Sequence, residues 1–181
     1  MRACRLSFIF LLTFVDNLNA QFEDPFGVGQ SGAAKPATTV KLLLSHDTAK
    51  PGSTVMAGLA LTMDDGWHTY WINPGEAGIA TDVEWKLPKG VSAGPIQWPT
   101  PEKFTALGSV GYGYHGKTIL LVPLVIAAGA APVQATISGN VSWLECKESC
   151  IPRDQQVSAT LTIAGTNARS AAAAKFCLLY T

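Results

Sequence analysis

Two cysteines stand close together in residues 141–152, which read VSWLECKESCIP. A pair such as Cys146 and Cys150 can stabilise a fold through a disulfide, bind a metal through thiolates, or exchange electrons with other thiols. In an extended strand their Cα atoms would lie ~13 Å apart, whereas a disulfide needs ~4.4–6.8 Å. The pair therefore closes only if residues 147–149 form a turn.

The small loop between the cysteines argues against a purely structural bond. Closing a loop of five residues removes about 2 kcal/mol of unfolded-state entropy, whereas a loop of a hundred residues removes ~4.7 kcal/mol. A domain of this size does not need the smaller contribution, and tight loops tend to make a disulfide easier to reduce. The spacing thus favours a redox-active pair over an inert structural disulfide and over a thiolate metal site.

The charges beside the pair indicate how it would react. Glu145 and Glu148 bracket Cys146, and only Lys147 and Arg153 oppose them. Nearby carboxylates raise the pKa of a thiol. We therefore expect a disulfide that a partner's thiolate attacks, rather than an acidic nucleophilic cysteine.

Other chemistry is not indicated. His46, His68 and His115 are scattered and none has ligand spacing to the cysteines, so the sequence predicts no metal and no cofactor, and places each histidine at the surface or at a strand end. There is no Ser/His/Asp arrangement, phosphate-binding loop or pair of catalytic carboxylates. The formal net charge is zero and only 14% of the 181 residues are charged, which disfavours nucleic acid as a partner.

The segments that must position the cysteines have strand character. Between residues 39 and 165, short stretches of alternating apolar and polar residues are separated by turn sequences such as AKPGS, DDG and PKG. Such strands at short spacing, without a long helical period, predict an all-β sandwich. Because alternating segments lie on both sides of the cysteines, we place them at the connection of a hairpin.

The ends of the chain differ from this body. Residues 1–20 join two arginines to an apolar run of about ten residues and a small residue at Ala20, which is typical of a cleaved signal peptide because a membrane span needs ~20 apolar residues. Residues 21–38 are predicted to be a flexible linker, and residues 166–181 a truncated or divergent helical tail without an apolar face. The mature protein is therefore expected in an exported, disulfide-permitting compartment; Cys4 leaves with the signal peptide and Cys177 lies in the tail.

Two aromatic stretches need an interpretation. Trp67, Tyr70 and Trp71 are predicted to pack in the core and at its rim. Residues 108–118, GSVGYGYHGKT, are predicted to form a glycine-rich loop. Such a loop either folds over a neighbouring site or is an ordinary long hairpin, and the residues alone leave both open.

Four stretches together resemble the N-terminal periplasmic domain of the DsbD/ScsB family of membrane thiol:disulfide reductases. They read GWHTYWINPGEAGIATDVEWKLPKG, GPIQWPTPEKF, GYGYHGK and VSWLECKESCIP. The resemblance covers residues 39–165 and implies an immunoglobulin-like antiparallel β-sandwich that is one component of a protein-disulfide reductase. The resemblance also implies a location in the periplasm and a role in cytochrome c biogenesis.

The resemblance also implies roles for residues. Cys150 would form the mixed disulfide with a partner and Cys146 would resolve it, while the loop over residues 108–116, with Tyr112, Tyr114 and His115, would shield the pair.

Partners follow from the same resemblance. A thioredoxin-like domain or protein would donate electrons, supplied by a polytopic membrane domain, and oxidised periplasmic thiol proteins would accept them. The chain carries neither of those two domains, so it would be a piece of a longer reductase or a free-standing domain served by another chain.

DsbD itself spaces the cysteines more widely and has acidic residues in the shielding loop, whereas the present spacing and CIP are similar to the ScsB branch, which is linked to copper tolerance. The alternative function is a β-sandwich binding module whose disulfide is structural and which binds either a partner protein or copper.

Overall fold

The alternating segments form strands in two sheets. A computed structural model describes residues 35–106 and 108–177. In chain order its elements are β1 (Thr38–Leu44), β2 (His46–Ala49), β3 (Thr54–Met63), β4 (His68–Gly75), β5 (Asp82–Lys86), β6 (Val91–Ala93), β7 (Glu102–Ala106), β8 (Ser109–His115), β9 (Lys117–Ile126), β10 (Val133–Cys146), β11 (Cys150–Ile163), β12 (Ala168–Arg169) and the short helix α1 (Ala173–Cys177).

The strand order places β10 at the centre of the larger sheet. The smaller sheet runs β1-β3-β9-β6, and the larger runs β12-β2-β11-β10-β4-β8-β7, with β5 also paired to β10. All these pairs are antiparallel except β2 with β11. The predicted all-β fold is confirmed.

The core lies between the two sheets and follows from the period of two in each strand. One side of every long strand supplies buried apolar side chains, and the other side meets solvent or a covering segment. The inward-facing residues of β1, β3, β9, β10 and β11 include Val40, Leu42, Leu44, Val55, Ala57, Leu59, Leu61, Leu120, Val122, Leu124, Ile137, Val141, Trp143, Val157, Leu161 and Ile163.

The N-terminal boundary lies slightly earlier than the sequence predicts. The predicted signal peptide (residues 1–20) and linker residues 21–34 lie outside the described residues. Thr38, assigned to the linker, already belongs to β1, and both Ala37 and Thr38 are buried. Nowhere in the described part of the chain is there a helix with the length and hydrophobicity of a membrane span.

The C-terminal tail is packed on the fold, contrary to expectation. The predicted helix is reduced to α1, and β12 precedes it. The backbone N–H of Ser170 donates to the carbonyl of Ser45 at 3.1 Å, and the ring of Phe176 lies against Gly58, where a Cβ would come within 2.8 Å of it. Phe176 is thus the apolar contact that the alanine-rich composition concealed.

Candidate redox site

The two cysteines face each other at the end of a long hairpin. Strands β10 and β11 pair along their whole length, and the last pair in register is Cys146 with Cys150. Their Cα atoms are 4.2 Å apart and their sulfurs form a disulfide. The turn is closed by a hydrogen bond from the backbone N–H of Lys147 to the carbonyl of Ser149 at 3.2 Å. The predicted turn and hairpin are confirmed.

The two sulfur-bearing residues differ in access. Cys146 is only 1% exposed, whereas Cys150 is an exposed residue. An attacking thiolate needs a direct approach to the sulfur it reacts with. Exposure therefore favours attack at Cys150 over attack at Cys146.

The disulfide belongs to a row of side chains that crosses four strands. Cys150 pairs with Cys146, Cys146 pairs with His68 on β4, and His68 pairs with His115 on β8. Residues paired in register point to the same side of a sheet. The row therefore continues from the disulfide across both histidines, whose ring centroids are 5.5 Å apart. The scattered positions of these histidines in the sequence become adjacent in the fold.

Tyr70 connects this row to the sulfur atoms. It lies two residues after His68 on the same side of β4, and its hydroxyl donates to Sγ of Cys146 at 3.2 Å. The same oxygen lies 3.7 Å from Sγ of Cys150 and 3.3 Å from Nε2 of His68. Tyr70 is 5% exposed, and this burial raises the pKa of its hydroxyl, which keeps the proton on the oxygen. The sequence predicts only packing for Tyr70, and the contact with the sulfurs is an addition from the structure.

Gly78 explains how the tyrosine ring fits there. Its φ is 120°, and a Cβ at this position would lie 2.3 Å from the ring of Tyr70. Any other residue would displace the ring because its Cβ would overlap the ring atoms. It would also strain the backbone, since residues other than glycine rarely adopt this φ.

Phe104 covers the same side of the sheet. Its ring lies 4.4 Å from that of His68, 6.1 Å from that of Tyr70 and 5.3 Å from that of His115, measured between centroids. It occupies space left by Gly111, where a Cβ would come within 2.7 Å of the ring. Phe104 is therefore the aromatic residue that packs on the neighbours of the disulfide.

The glycine-rich stretch forms one strand of a hairpin with β7, which is one of the two alternatives that the sequence left open. Residues 109–115 form β8, in which Gly113 and His115 share the side of His68 and Tyr70. Tyr112 and Tyr114 alternate to the opposite side. There Tyr112 contacts Trp71 at 6.5 Å between centroids, and the hydroxyl of Tyr114, a core residue, donates to the carbonyl of Pro99 at 2.9 Å. Of the three residues assigned to a shield, only His115 lies on the side of the cysteines; the shielding role itself stays a prediction.

The charge pattern around Cys146 also differs from the expectation. Glu145 neighbours Cys146 in sequence but, because side chains alternate along β10, it points to the interior side and is fully buried. Burial alone would raise the pKa of Glu145. The hydrogen bond from Arg153 at 2.8 Å and those from the backbone N–H groups of Ala37 and Thr38 outweigh burial and lower the pKa. Glu145 is thus a compensated structural anion and not a source of negative charge at the cysteine.

The two histidines differ in environment. His68 is 4% exposed, and its pKa is lowered by burial first and by the positive charge of His115 second. His115 is partly open to solvent, and its Nδ1 lies 3.0 Å from the carboxylate of Glu102. No group of three or more His, Cys, Asp or Glu side chains in the described ranges is arranged to hold a metal.

Comparisons with known proteins point to one family. The family model described as "Thiol:disulfide interchange protein DsbD, N-terminal" matches residues 40–162. Among solved structures, the N-terminal periplasmic domain of ScsB from Proteus mirabilis is similar with a TM-score of 0.50 and 19% identity, over 79% of this chain and 52% of that one. A variant of BcpA, the major pilin subunit of Bacillus cereus, follows with a TM-score of 0.42 and 7% identity, over 70% and 40% of the two chains. No curated protein matches the sequence. The chain thus spans about half the length of the ScsB domain and shares its immunoglobulin-like fold.

Proposed function

We propose that this chain, which belongs to the family of the N-terminal domain of the thiol:disulfide interchange protein DsbD, relays electrons through Cys146 and Cys150 to oxidised proteins of the periplasm. The observation that carries the proposal is the asymmetry of the pair at the hairpin end. An exposed Cys150 is bonded to a buried Cys146 that accepts a hydrogen bond from Tyr70. Thiol–disulfide exchange uses such an arrangement, because a partner attacks the accessible residue of the pair and the protected residue then acts within the chain.

Loading, the reduction of the Cys146–Cys150 disulfide by the electron donor, begins at Cys150. A donor thiolate forms a bond to Sγ of Cys150, the Cys146–Cys150 bond breaks, and its electron pair passes to Sγ of Cys146. A second thiol of the donor then attacks the mixed disulfide. The donor leaves oxidised, and both cysteines are left reduced.

Unloading, the reduction of an oxidised substrate by the two cysteines, is the same chemistry in reverse order. The thiolate of Cys150 attacks the disulfide of an oxidised substrate, and Cys146 then attacks Cys150 and releases the reduced substrate. The family supports a thioredoxin-like donor and periplasmic thiol proteins as acceptors.

The reduction potential of the pair tests this function. Structural disulfides of exported proteins have potentials below about −300 mV, so a relay should be measurably higher. Equilibration of the protein with glutathione and dithiothreitol buffers, followed by thiol alkylation and mass spectrometry of the peptide carrying both cysteines, gives the value. A potential below that limit would contradict the relay and leave the structural alternative.

Phe104 should limit access to the pair. We expect Phe104→Ala to speed the reaction of the disulfide with small thiols several-fold, because the ring packs on His68 and on Tyr70, whose hydroxyl contacts both sulfurs. The measurement is the rate of reduction by a small monothiol, with the unfolding transition recorded for each variant.

Tyr112→Ala is the matched control, since it removes a ring from the opposite side of β8. A faster reaction in Tyr112→Ala together with an unchanged rate in Phe104→Ala would assign the shield to the stretch originally predicted.

A further inference from the structure

Breaking the disulfide creates a charge in a place that water barely reaches. When Cys150 is attacked, the electron pair of the broken bond stays on Sγ of Cys146, a residue that is 1% exposed. A thiolate in such surroundings is disfavoured because it has lost its hydration. A proton supplied as the bond breaks would remove this cost.

Tyr70 holds a proton at the required atom. Its hydroxyl donates to Sγ of Cys146, and its raised pKa keeps the hydroxyl protonated in the resting protein. A tyrosine hydroxyl carries one hydrogen, so while that hydrogen points to sulfur the oxygen must accept from its other neighbour. That neighbour is Nε2 of His68 at 3.3 Å, which then carries hydrogen itself. The bonds run in one direction, from His68 through Tyr70 to Cys146.

The next histidine in the row lies between His68 and solvent. His115 lies beside His68 in register on β8 and is 38% exposed at its side chain, with Glu102 at its Nδ1. Imidazole can gain a proton at one nitrogen and lose one at the other. His68 is thus placed between a buried hydroxyl and a solvent-accessible histidine.

We propose that His68 is the acid–base group for Cys146 and that it acts through the hydroxyl of Tyr70. In loading, protonated His68 gives its Nε2 proton to the oxygen of Tyr70 as Tyr70 gives its own proton to Sγ of Cys146. The sulfur ends as a thiol, the tyrosine is restored, and neutral His68 regains a proton from solvent past His115.

In unloading, the protons run backwards. Neutral His68 accepts a proton from Tyr70, which takes that of the Cys146 thiol as Cys146 attacks Cys150. This proposal rests on the exchange function proposed above, since the thiol partner supplies and removes the electrons.

The charged surroundings of His68 are compatible with this role. The titratable groups that face it are Tyr70 on its own strand, Cys146 from β10 and His115 from β8, with Glu102 of β7 behind His115. Nearby, the ammonium of Lys147 donates to the carbonyl of Asp65 at 3.3 Å. Burial and, second, the charge of His115 both lower the pKa of His68, so the neutral form predominates at neutral pH.

The pH dependence of adduct formation tests the proton transfer through Tyr70 and His68. The oxidised protein is mixed with a monothiol of low pKa, and the adduct on Cys150 is quantified by acid quench and mass spectrometry. The rate is divided by the thiolate concentration from about pH 4.5 to about pH 8, a range that brackets histidine titration. In the wild type this normalised rate should fall as the pH rises through the pKa of His68, because the protonated form supplies the proton.

Three variants give the expected and the contradicting results. His68→Gln and Tyr70→Phe should flatten the pH profile and lower the rate at the acid end by roughly a hundredfold, the lower end of the range for general acid–base catalysis. His115→Gln should move the midpoint to higher pH, because the positive neighbour is lost. A profile in His68→Gln that equals the wild type would overturn the relay.

The outcomes separate this inference from the proposed function. A wild type that no thiol reduces contradicts the exchange function itself. A reducible wild type whose pH profile is unaltered in His68→Gln contradicts only the proton transfer through Tyr70 and His68. Circular dichroism reports whether each variant folds. If His68→Gln does not fold, the midpoint of the pH profile in His115→Gln decides instead. A midpoint that equals the wild-type value overturns the proposal.

Discussion

Cys146→Ser should trap a covalent complex with a thioredoxin-like protein, and Cys150→Ser should trap far less. In the first variant the remaining thiol belongs to the exposed Cys150, and the residue that would resolve the adduct is gone. In the second, the remaining thiol belongs to Cys146 and is buried beside Tyr70. Because a buried thiol reacts only when the structure opens, we expect adduct formation to be at least roughly tenfold slower.

The experiment requires a background without other thiols. Cys4 and Cys177 are replaced by serine in both variants. The partner is a thioredoxin-like protein with a single active-site cysteine, activated as a mixed disulfide with thionitrobenzoate, and the complex is followed on non-reducing gels. In urea both variants should react at the same rate, which shows that the fold and not the cysteine itself sets the order. Equal rates in the native state would contradict the assignment of Cys150 as the attacked residue.

The hairpin that carries the cysteines could be predicted because its information is local. Alternating residues on both sides of CKESC fix two strands, and a disulfide between Cys146 and Cys150 then requires a turn between them. The all-β class followed from the same period of two repeated along the chain.

The neighbours of the disulfide could not be predicted in the same way. His68 and Tyr70 reach the cysteines through the pairing of β4 with the end of β10, which joins segments far apart in the chain. A shift of one residue in that register would turn both side chains to the other side of the sheet. Alternation on β4 does place His68 and Tyr70 on one side, but sequence alone does not say which strand lies next to it.

The sequence left strand β8 undecided between a covering loop and a hairpin because its composition argues against a strand. Gly111 and Gly113 are poor strand residues in isolation. In the fold, Gly111 leaves the space that the ring of Phe104 fills, so a feature that looks like a loop in the sequence is a packing requirement of the site. The error over Glu145 has a related cause, since neighbours in the sequence of a strand point to opposite sides of the sheet.

Replacing Glu145 should have the largest effect on stability. Its carboxylate accepts from Arg153 at 2.8 Å, from the backbone N–H groups of Ala37 and Thr38 at 3.2 and 2.8 Å, and from the indole of Trp143 at 3.4 Å. Glu145→Ala leaves these donors without their acceptor and Arg153 without its counter-charge. Removal of one partner of a buried ion pair costs roughly 3–5 kcal/mol, and we expect a loss of unfolding free energy in this range.

Chemical denaturation measures the loss, with Glu84→Gln as the control. Glu84 is an exposed carboxylate on β5, the strand beside β10, and its replacement should change the free energy of unfolding by less than about 0.5 kcal/mol. If Glu145→Ala loses as little free energy of unfolding as the control, Glu145 does not stabilise the fold as proposed.

The same carboxylate should make stability depend on pH in a defined direction. The pKa of Glu145 is lower in the folded protein than its ordinary value, so the folded state binds this proton less readily than the unfolded state. Its contribution is therefore fully present above the unfolded pKa of ~4.3 and is lost as the pH falls through the lower folded value. Glu145→Gln should remove this loss and give a flatter dependence of unfolding free energy on pH in acid. Because Glu145 ties the start of β1 to the residue before Cys146, protonation should also weaken hydrogen-exchange protection at Thr38. If Glu145→Gln and the wild type lose stability in parallel on acidification, the folded pKa of Glu145 is not lowered and the anchor does not hold β1.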